Sequence, residues 1–101
     1  MELHDMAAHC QTLDEVREHI DQLDRQIVGL IAQRGRYVSQ AARFKKDSHA
    51  VKSPQRVEHV FAKVRALADE LGANPHVTEQ VYRAMIAAFI QQELAEHSAL
   101  S

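Results

Sequence analysis

Residues 13–46 read LDEVREHIDQLDRQIVGLIAQRGRYVSQAARFKK and decide the fold of this chain. Apolar side chains recur in this segment at alternating intervals of three and four residues, which is the period of one helix face. This apolar stripe consists of Leu13, Val16, Ile20, Leu23, Ile27 and Leu30. No proline interrupts the segment, and Thr12 followed by Glu15 is typical of a capping box. The pattern predicts one helix from Leu13 to about Lys46.

Such a helix is too long for a compact monomer. About 34 residues at ~1.5 Å each span about 50 Å, whereas a compact domain of about 100 residues has a radius of gyration near ~13 Å. Two shorter helices cannot bury the whole apolar stripe. Either the helix breaks near Gly35, or a second copy of the chain covers the exposed part. We favour an intertwined homodimer.

Two further helices are predicted, which makes the chain all-α with three helices, one of them very long. Ser53–Pro54 and Asn74–Pro75 each combine an N-cap residue with proline at the first helical position. Gly72 lies where a helix typically ends. Residues 47–50 are expected to form a loop or a frayed helix end.

The composition is that of one small domain and argues against several classes of protein. Residues 1–11 have no clean period and are expected to form a flexible tail before a helical domain at 12–101. A formal charge of −2 gives no reason to expect nucleic-acid binding. The single cysteine excludes an internal disulfide, and the scattered histidines lack any metal-binding spacing. There is no long apolar run and no signal-peptide pattern, so we expect no membrane span and a cytoplasmic location.

Two cations continue the apolar stripe of the first helix. Arg34 and Lys45 are eleven residues apart, so at about 100° per residue they share a helix face. A buried cation without a partner is costly. No acidic residue lies near them on the same stripe, so a small anionic ligand is the predicted partner.

Three more charged residues extend this constellation. Arg17 is too far from Arg34 to reach the same pocket within one straight helix, but it could reach the pocket of an antiparallel second copy. Arg56 falls in the first turn of the second helix, where it could close over a ligand. Glu93 continues the apolar stripe of the third helix. Burial favours its neutral form, which can donate a hydrogen bond; alternatively, Glu93 is the salt partner of Arg34 or Lys45.

Several segments of the chain, spread over about residues 12–97, resemble the all-helical class of chorismate mutases. They are Val16–Asp24, Ala32–Arg34, Arg43–Lys45 and Pro54–Val57. The last two are most similar to the isochorismate-pyruvate lyase branch of that superfamily. The resemblance implies an intertwined helical dimer with two identical sites and no cofactor.

The resemblance also implies roles for individual residues. In each site, Arg34, Lys45 and Arg56 of one chain and Arg17 of the other would hold the two carboxylates of chorismate or a near relative. Lys45 and Glu93 would hydrogen-bond the ether oxygen whose bond breaks. Ile86 and Phe89 are predicted to wall the pocket.

Two positions point to different reactions. Val57 replaces a glutamate that many mutases carry, and the lyase branch is also apolar there, whereas Glu93 is more typical of mutases. We predict a chorismate mutase, which forms prephenate, with an isochorismate-pyruvate lyase, which forms salicylate and pyruvate, as the alternative. The pathway, aromatic amino acid or salicylate and siderophore synthesis, stays open. A more distant alternative is a non-catalytic helical dimerisation module whose Arg34 and Lys45 are neutralised by protein carboxylates.

Overall fold

The computed structural model describes residues 9–100, and within them the chain is all-α. Three long helices and one short helix follow one another: α1 Leu13–Ala42, α2 Ser48–Lys52, α3 Pro54–Leu71 and α4 Pro75–Leu100. The predicted fold class is confirmed, while the expectations for residues 1–8 lie outside the described residues. No helix of the described part is both long and apolar enough to cross a membrane.

Side-chain caps and a glycine mark the helix boundaries that the sequence predicted. The Thr12 hydroxyl accepts the Glu15 N–H at 3.1 Å and begins α1. Oδ1 of Asn74 accepts the His76 N–H at 2.9 Å at the start of α4. Gly72, with φ of 77°, ends α3 in the left-handed conformation that favours glycine. Local hydrogen bonds therefore account for these boundaries.

The prediction that α1 reaches Lys46 is wrong, as is the prediction of a loop at 47–50. The N–H groups of the three residues after Ala42 bond to carbonyls three residues back, a tightening that ends an α-helix. Asp47 then caps α2 by accepting the Ala50 N–H at 2.8 Å. No glycine or proline marks the end of α1 or the start of α2, so the sequence contained no obvious signal for either boundary.

Ser53 joins α2 to α3 in an unusual conformation. It precedes α3 as predicted, but its side chain does not cap that helix. Its hydroxyl instead donates to the carbonyl of Ala50, and its φ is 40°. A left-handed backbone at a non-glycine residue is strained. Ser53 thus ends α2 and directly precedes α3.

α4 is the central element, because α3, α2 and the second half of α1 all pack against it. The most deeply buried apolar side chains are Ala42, Val51, Phe61, Val64, Ala68 and Ile86. An ion-pair cluster also joins two helices: Arg65 of α3 and Arg83 of α4 both bond Glu79 of α4. Arg83 additionally lies over the Phe61 ring, 4.3 Å from its centroid.

The first half of α1 extends away from this core. The helix continues through Gly35, so the predicted alternative of a break there does not occur. Its apolar stripe is open to solvent, with Leu13 60% exposed, Leu23 55% and Leu30 62%. The molecule is 55 Å long with a radius of gyration of 16.8 Å, above the ~13 Å of a compact domain of this size. A contiguous exposed apolar surface of this kind usually marks an interaction site.

Candidate active site

A cavity of about 310 Å³ lies where the second half of α1, α2, the start of α3 and α4 meet. Its charged side chains are Arg34, Lys45, Lys52, Arg56 and Glu93. Its apolar side chains are Val38, Ala41, Val51, Val57, Val60, Ile86, Phe89 and Ile90, and Tyr37 and Ser53 complete the wall. Four basic groups face one carboxylate over an apolar surface. Such a cavity fits a small, partly apolar anion.

The cavity brings together most of the residues singled out in the sequence. Arg34, Lys45, Arg56, Val57, Ile86, Phe89 and Glu93 all line it. Arg17 does not line it, because it is exposed on the first half of α1. This position agrees with the expectation that Arg17 cannot reach the pocket of its own chain.

Lys45 reaches the cavity by a different route from the one predicted. It was expected on the α1 face that carries Arg34, but α1 ends at Ala42 and Lys45 lies in the turn that follows. Its Nζ donates to Oε2 of Glu93 at 2.5 Å. The side chains of Lys45 and Glu93 are 24% and 5% exposed. Glu93 is thus the salt partner of Lys45, one of the two roles that the sequence left open.

Arg34 has an aromatic neighbour instead of an anionic one. Its guanidinium carbon lies 5.3 Å from the centroid of the Phe89 ring, within the range of a cation–π contact. Phe89 can approach α1 because the facing residue is Gly35, where an added Cβ would lie 3.1 Å from Cε1 of the ring. Among the described residues, no carboxylate pairs with Arg34 or Arg56. Both guanidinium groups are therefore available to an external anion.

Lys52 is a cavity residue that the sequence analysis missed. It lies at the end of α2, the helix that replaced the predicted loop. No periodic pattern could have shown that this lysine faces the cavity, because α2 has only five residues. Groups of His, Cys, Asp and Glu that could hold a metal ion are absent from the described part of the chain.

Comparison with known proteins finds a family whose match covers all the residues that line the cavity. A family model described as chorismate mutase type II matches residues 16–94. The chain is also similar to an isochorismate pyruvate lyase of Pseudomonas aeruginosa, with 31% identity over 85 residues that cover 84% of each chain. Every residue that lines the cavity falls within residues 16–94.

Proposed function

The chain belongs to the chorismate mutase type II family, and on that premise we propose that it rearranges chorismate to prephenate. The observation that carries this proposal is the charge of the cavity: four basic side chains and one carboxylate around an apolar surface. Chorismate is a dicarboxylate built on a carbon ring. Arginine suits such a ligand, because its planar guanidinium can bind a carboxylate through two parallel hydrogen bonds.

The reaction requires the protein only to fix the geometry of the substrate and to stabilise charge. The ether C–O bond of chorismate breaks while a C–C bond forms, and no atom enters or leaves the molecule. The rearrangement therefore needs no nucleophile and no cofactor. The protein must select the compact diaxial conformer and stabilise the negative charge that grows on the ether oxygen. In our proposal Arg34 and Arg56 hold the carboxylates, and Val57, Ile86 and Phe89 enclose the ring.

Lys45 and Glu93 are proposed to act on the ether oxygen. The charge on this oxygen is greatest in the transition state, so Lys45 should contribute more to turnover than to substrate binding. To help in the same way, Glu93 must carry a proton and donate it in a hydrogen bond. The substrate would then separate the Lys45–Glu93 ion pair, and each group would turn toward the oxygen.

A second copy of the chain is proposed to complete the site. The exposed apolar stripe on the first half of α1 is the surface for this copy, because a helix does not normally leave such a stripe in water. In an antiparallel arrangement the two α1 helices would each carry Arg17 toward the other copy's cavity. The assembly would be an intertwined homodimer with two sites.

The lyase reaction is the second candidate. It is favoured by Val57, an apolar residue in the cavity wall where many mutases carry glutamate, and by the similarity to the Pseudomonas aeruginosa protein. In that reaction a hydrogen moves to the enolpyruvyl carbon of isochorismate, and pyruvate and salicylate are released. The same basic side chains would hold both substrates.

A product assay on the purified protein tests the proposal. Chorismate and isochorismate are supplied separately, and prephenate and salicylate are measured. We expect prephenate from chorismate, and in Lys45→Met we expect kcat to fall by about 10²–10³-fold with a smaller change in KM. Lys46→Met is the matched control, since Lys46 is exposed and does not line the cavity.

Other outcomes of this assay decide between the alternatives. Fast salicylate release with slow prephenate formation would assign the lyase reaction. Failure to form either product would favour the non-catalytic dimerisation module. In that case, replacing Arg34 and Lys45 with apolar residues should leave the stability unchanged or raise it.

A further inference from the structure

Lys45 lies where the helices do not fix its position. It is three residues past the end of α1 and precedes α2. Its N–H bonds to the carbonyl of Ala42 at 3.3 Å, a long contact at the end of a tightening turn. Neither helix supplies a partner for its carbonyl. A side chain on such a segment needs other contacts to keep its catalytic group close to the productive position, because a displacement of about 1 Å can lower the rate strongly.

α4 supplies these contacts at both ends of the residue. Glu93 accepts from the Nζ of Lys45 at 2.5 Å, and Nε2 of His97 lies 2.5 Å from the carbonyl oxygen of Lys45. A carbonyl oxygen can only accept, so Nε2 of His97 carries the proton and donates. Glu93 and His97 are four residues apart and so lie on the same face of α4. One helix face therefore holds the side chain and the backbone of Lys45.

We propose that His97 is a positioning residue for Lys45, an inference that rests on the proposed function of Lys45. His97 is half-buried and does not line the cavity, so it would act only through Lys45. Loss of its hydrogen bond frees the 43–47 segment, and the ammonium group no longer has one fixed position. The charge on the ether oxygen develops in the transition state, so this loss should lower kcat and leave KM nearly unchanged.

The test compares variants that keep or lose the hydrogen-bond donor. His97→Ala and the bulkier His97→Met both lose it, and His97→Gln keeps an N–H donor at a similar distance from the backbone. His59, which is exposed on α3 and does not line the cavity, provides the control His59→Ala. Folding is checked by circular dichroism, and kcat and KM are measured for each protein with the substrate that the wild type converts.

We expect His97→Ala and His97→Met to lower kcat by about tenfold with KM within about twofold of wild type. His97→Gln should retain most of the wild-type kcat, and His59→Ala should have the wild-type kcat and KM. The proposal is overturned if His97→Ala and His97→Met keep the wild-type kcat, or if His97→Gln is as impaired as they are. It is also overturned if both donor-less variants fail to fold, because His97 would then support the fold as a whole.

A double-mutant cycle separates positioning from a general structural effect. In a Lys45→Met background, measured at high enzyme concentration, His97→Ala should cause no further loss of kcat, because the group that it positions is gone. An equal loss in both backgrounds contradicts the proposal. A wild-type protein that converts neither chorismate nor isochorismate refutes the proposed function itself, an outcome distinct from an active wild type whose kcat is insensitive to His97.

Discussion

At the residue scale, Glu93 is notable because it is a charged residue in a buried position. It is the buried charged residue of the described chain, at 4% exposure, and it faces a lysine 2.5 Å away. The ion pair compensates the burial of both groups. The Glu93 carboxylate would repel the negative charge that develops on a substrate oxygen. The neutral acid would instead donate a hydrogen bond to that oxygen. The chemistry of the site therefore depends on whether Glu93 carries a proton when substrate is bound.

The substitution Glu93→Gln tests this dependence. The amide of the introduced glutamine can donate a hydrogen bond to the ether oxygen, as the neutral acid would, so Glu93→Gln should keep kcat within about tenfold of wild type. Glu93→Ala has no donor at this position and should lower kcat by about 10²-fold or more. Glu96→Gln is the control, because Glu96 lies outside the cavity and bonds Ser39 and Gln92. If Glu93→Gln loses as much kcat as Glu93→Ala, Glu93 does not act as the donor.

At the element scale, the contact between α1 and α4 depends on a small residue. Gly35 leaves room for the Phe89 ring, and Phe89 in turn lies under the guanidinium of Arg34. The packing of α1 on α4 and the proposed binding of a ligand by Arg34 therefore both depend on the position of Phe89. A methyl group added at Gly35 should affect both.

We predict that Gly35→Ala and Gly29→Ala have different effects. Gly29 has nothing within 4 Å of an added Cβ, so alanine there should stabilise α1 by about 0.5–1 kcal/mol through helix propensity. At Gly35 the same gain should be offset by displacement of Phe89, at a cost of about 1 kcal/mol or more. Gly35→Ala should also raise KM several-fold. Urea denaturation and steady-state kinetics measure both effects, and equal stabilisation by the two substitutions would contradict the prediction.

The α3–α4 contact carries a second element-scale prediction, which concerns pH. Hydrogen bonds from Arg65 and Arg83 lower the pKa of the Glu79 carboxyl below its ordinary value of 4.5. A lowered pKa in the folded state means that the carboxylate stabilises the fold above the ordinary value, and that this contribution is lost as the pH falls below it.

Thermal denaturation between about pH 6 and pH 3 checks this sign. Glu79→Gln should have a lower Tm than wild type at the upper end, and the two Tm values should converge toward the lower end. Glu70→Gln, at an exposed position of α3, is the control and should follow the wild type throughout. A Tm difference that stays constant with pH would mean that the cluster contributes through packing instead of charge.

At the scale of the whole molecule, the first half of α1 leaves an apolar stripe of the single chain exposed to solvent. The stripe from Leu13 to Leu30 is as apolar as a core but faces solvent, and it carries Arg17 on the same half-helix. A symmetric dimer would bury both stripes and bring each Arg17 to the other chain's cavity. The burial of the stripe and the completion of the site would then depend on the same interface.

Subunit complementation tests this arrangement. Arg17→Ala and Arg34→Ala proteins should each be nearly inactive alone. When they are refolded together, half of the dimers should be mixed and each mixed dimer should hold one intact site, so activity should recover to about a quarter of wild type. If Arg17 serves the site of its own chain, mixing restores nothing. Light scattering of the wild type should give the mass of two chains.

Sequence alone predicted the three long helices and most of the charged residues that line the cavity. Helix periods, the caps at Thr12 and Asn74 and the stop at Gly72 are local properties, since each depends on hydrogen bonds or side-chain spacing within a few residues. The apolar stripe of α1 could be predicted for the same reason, because it depends only on the spacing of side chains within one helix. The spacing of Arg34 and Lys45 singled out two cations that both line the cavity, although α1, which was predicted to carry both residues, ends before Lys45.

Only the tertiary structure decided how these residues meet. Lys45 contacts Glu93 and His97, which are 48 and 52 residues away along the chain, and Lys52 enters the cavity on a helix too short to have a period. No local pattern specifies such contacts, because they depend on how α4 packs against the turn after α1. The physical reason is one of range: backbone hydrogen bonding and side-chain periodicity act over a few residues, whereas the placement of a lysine against a distant carboxylate depends on the packing of the whole fold.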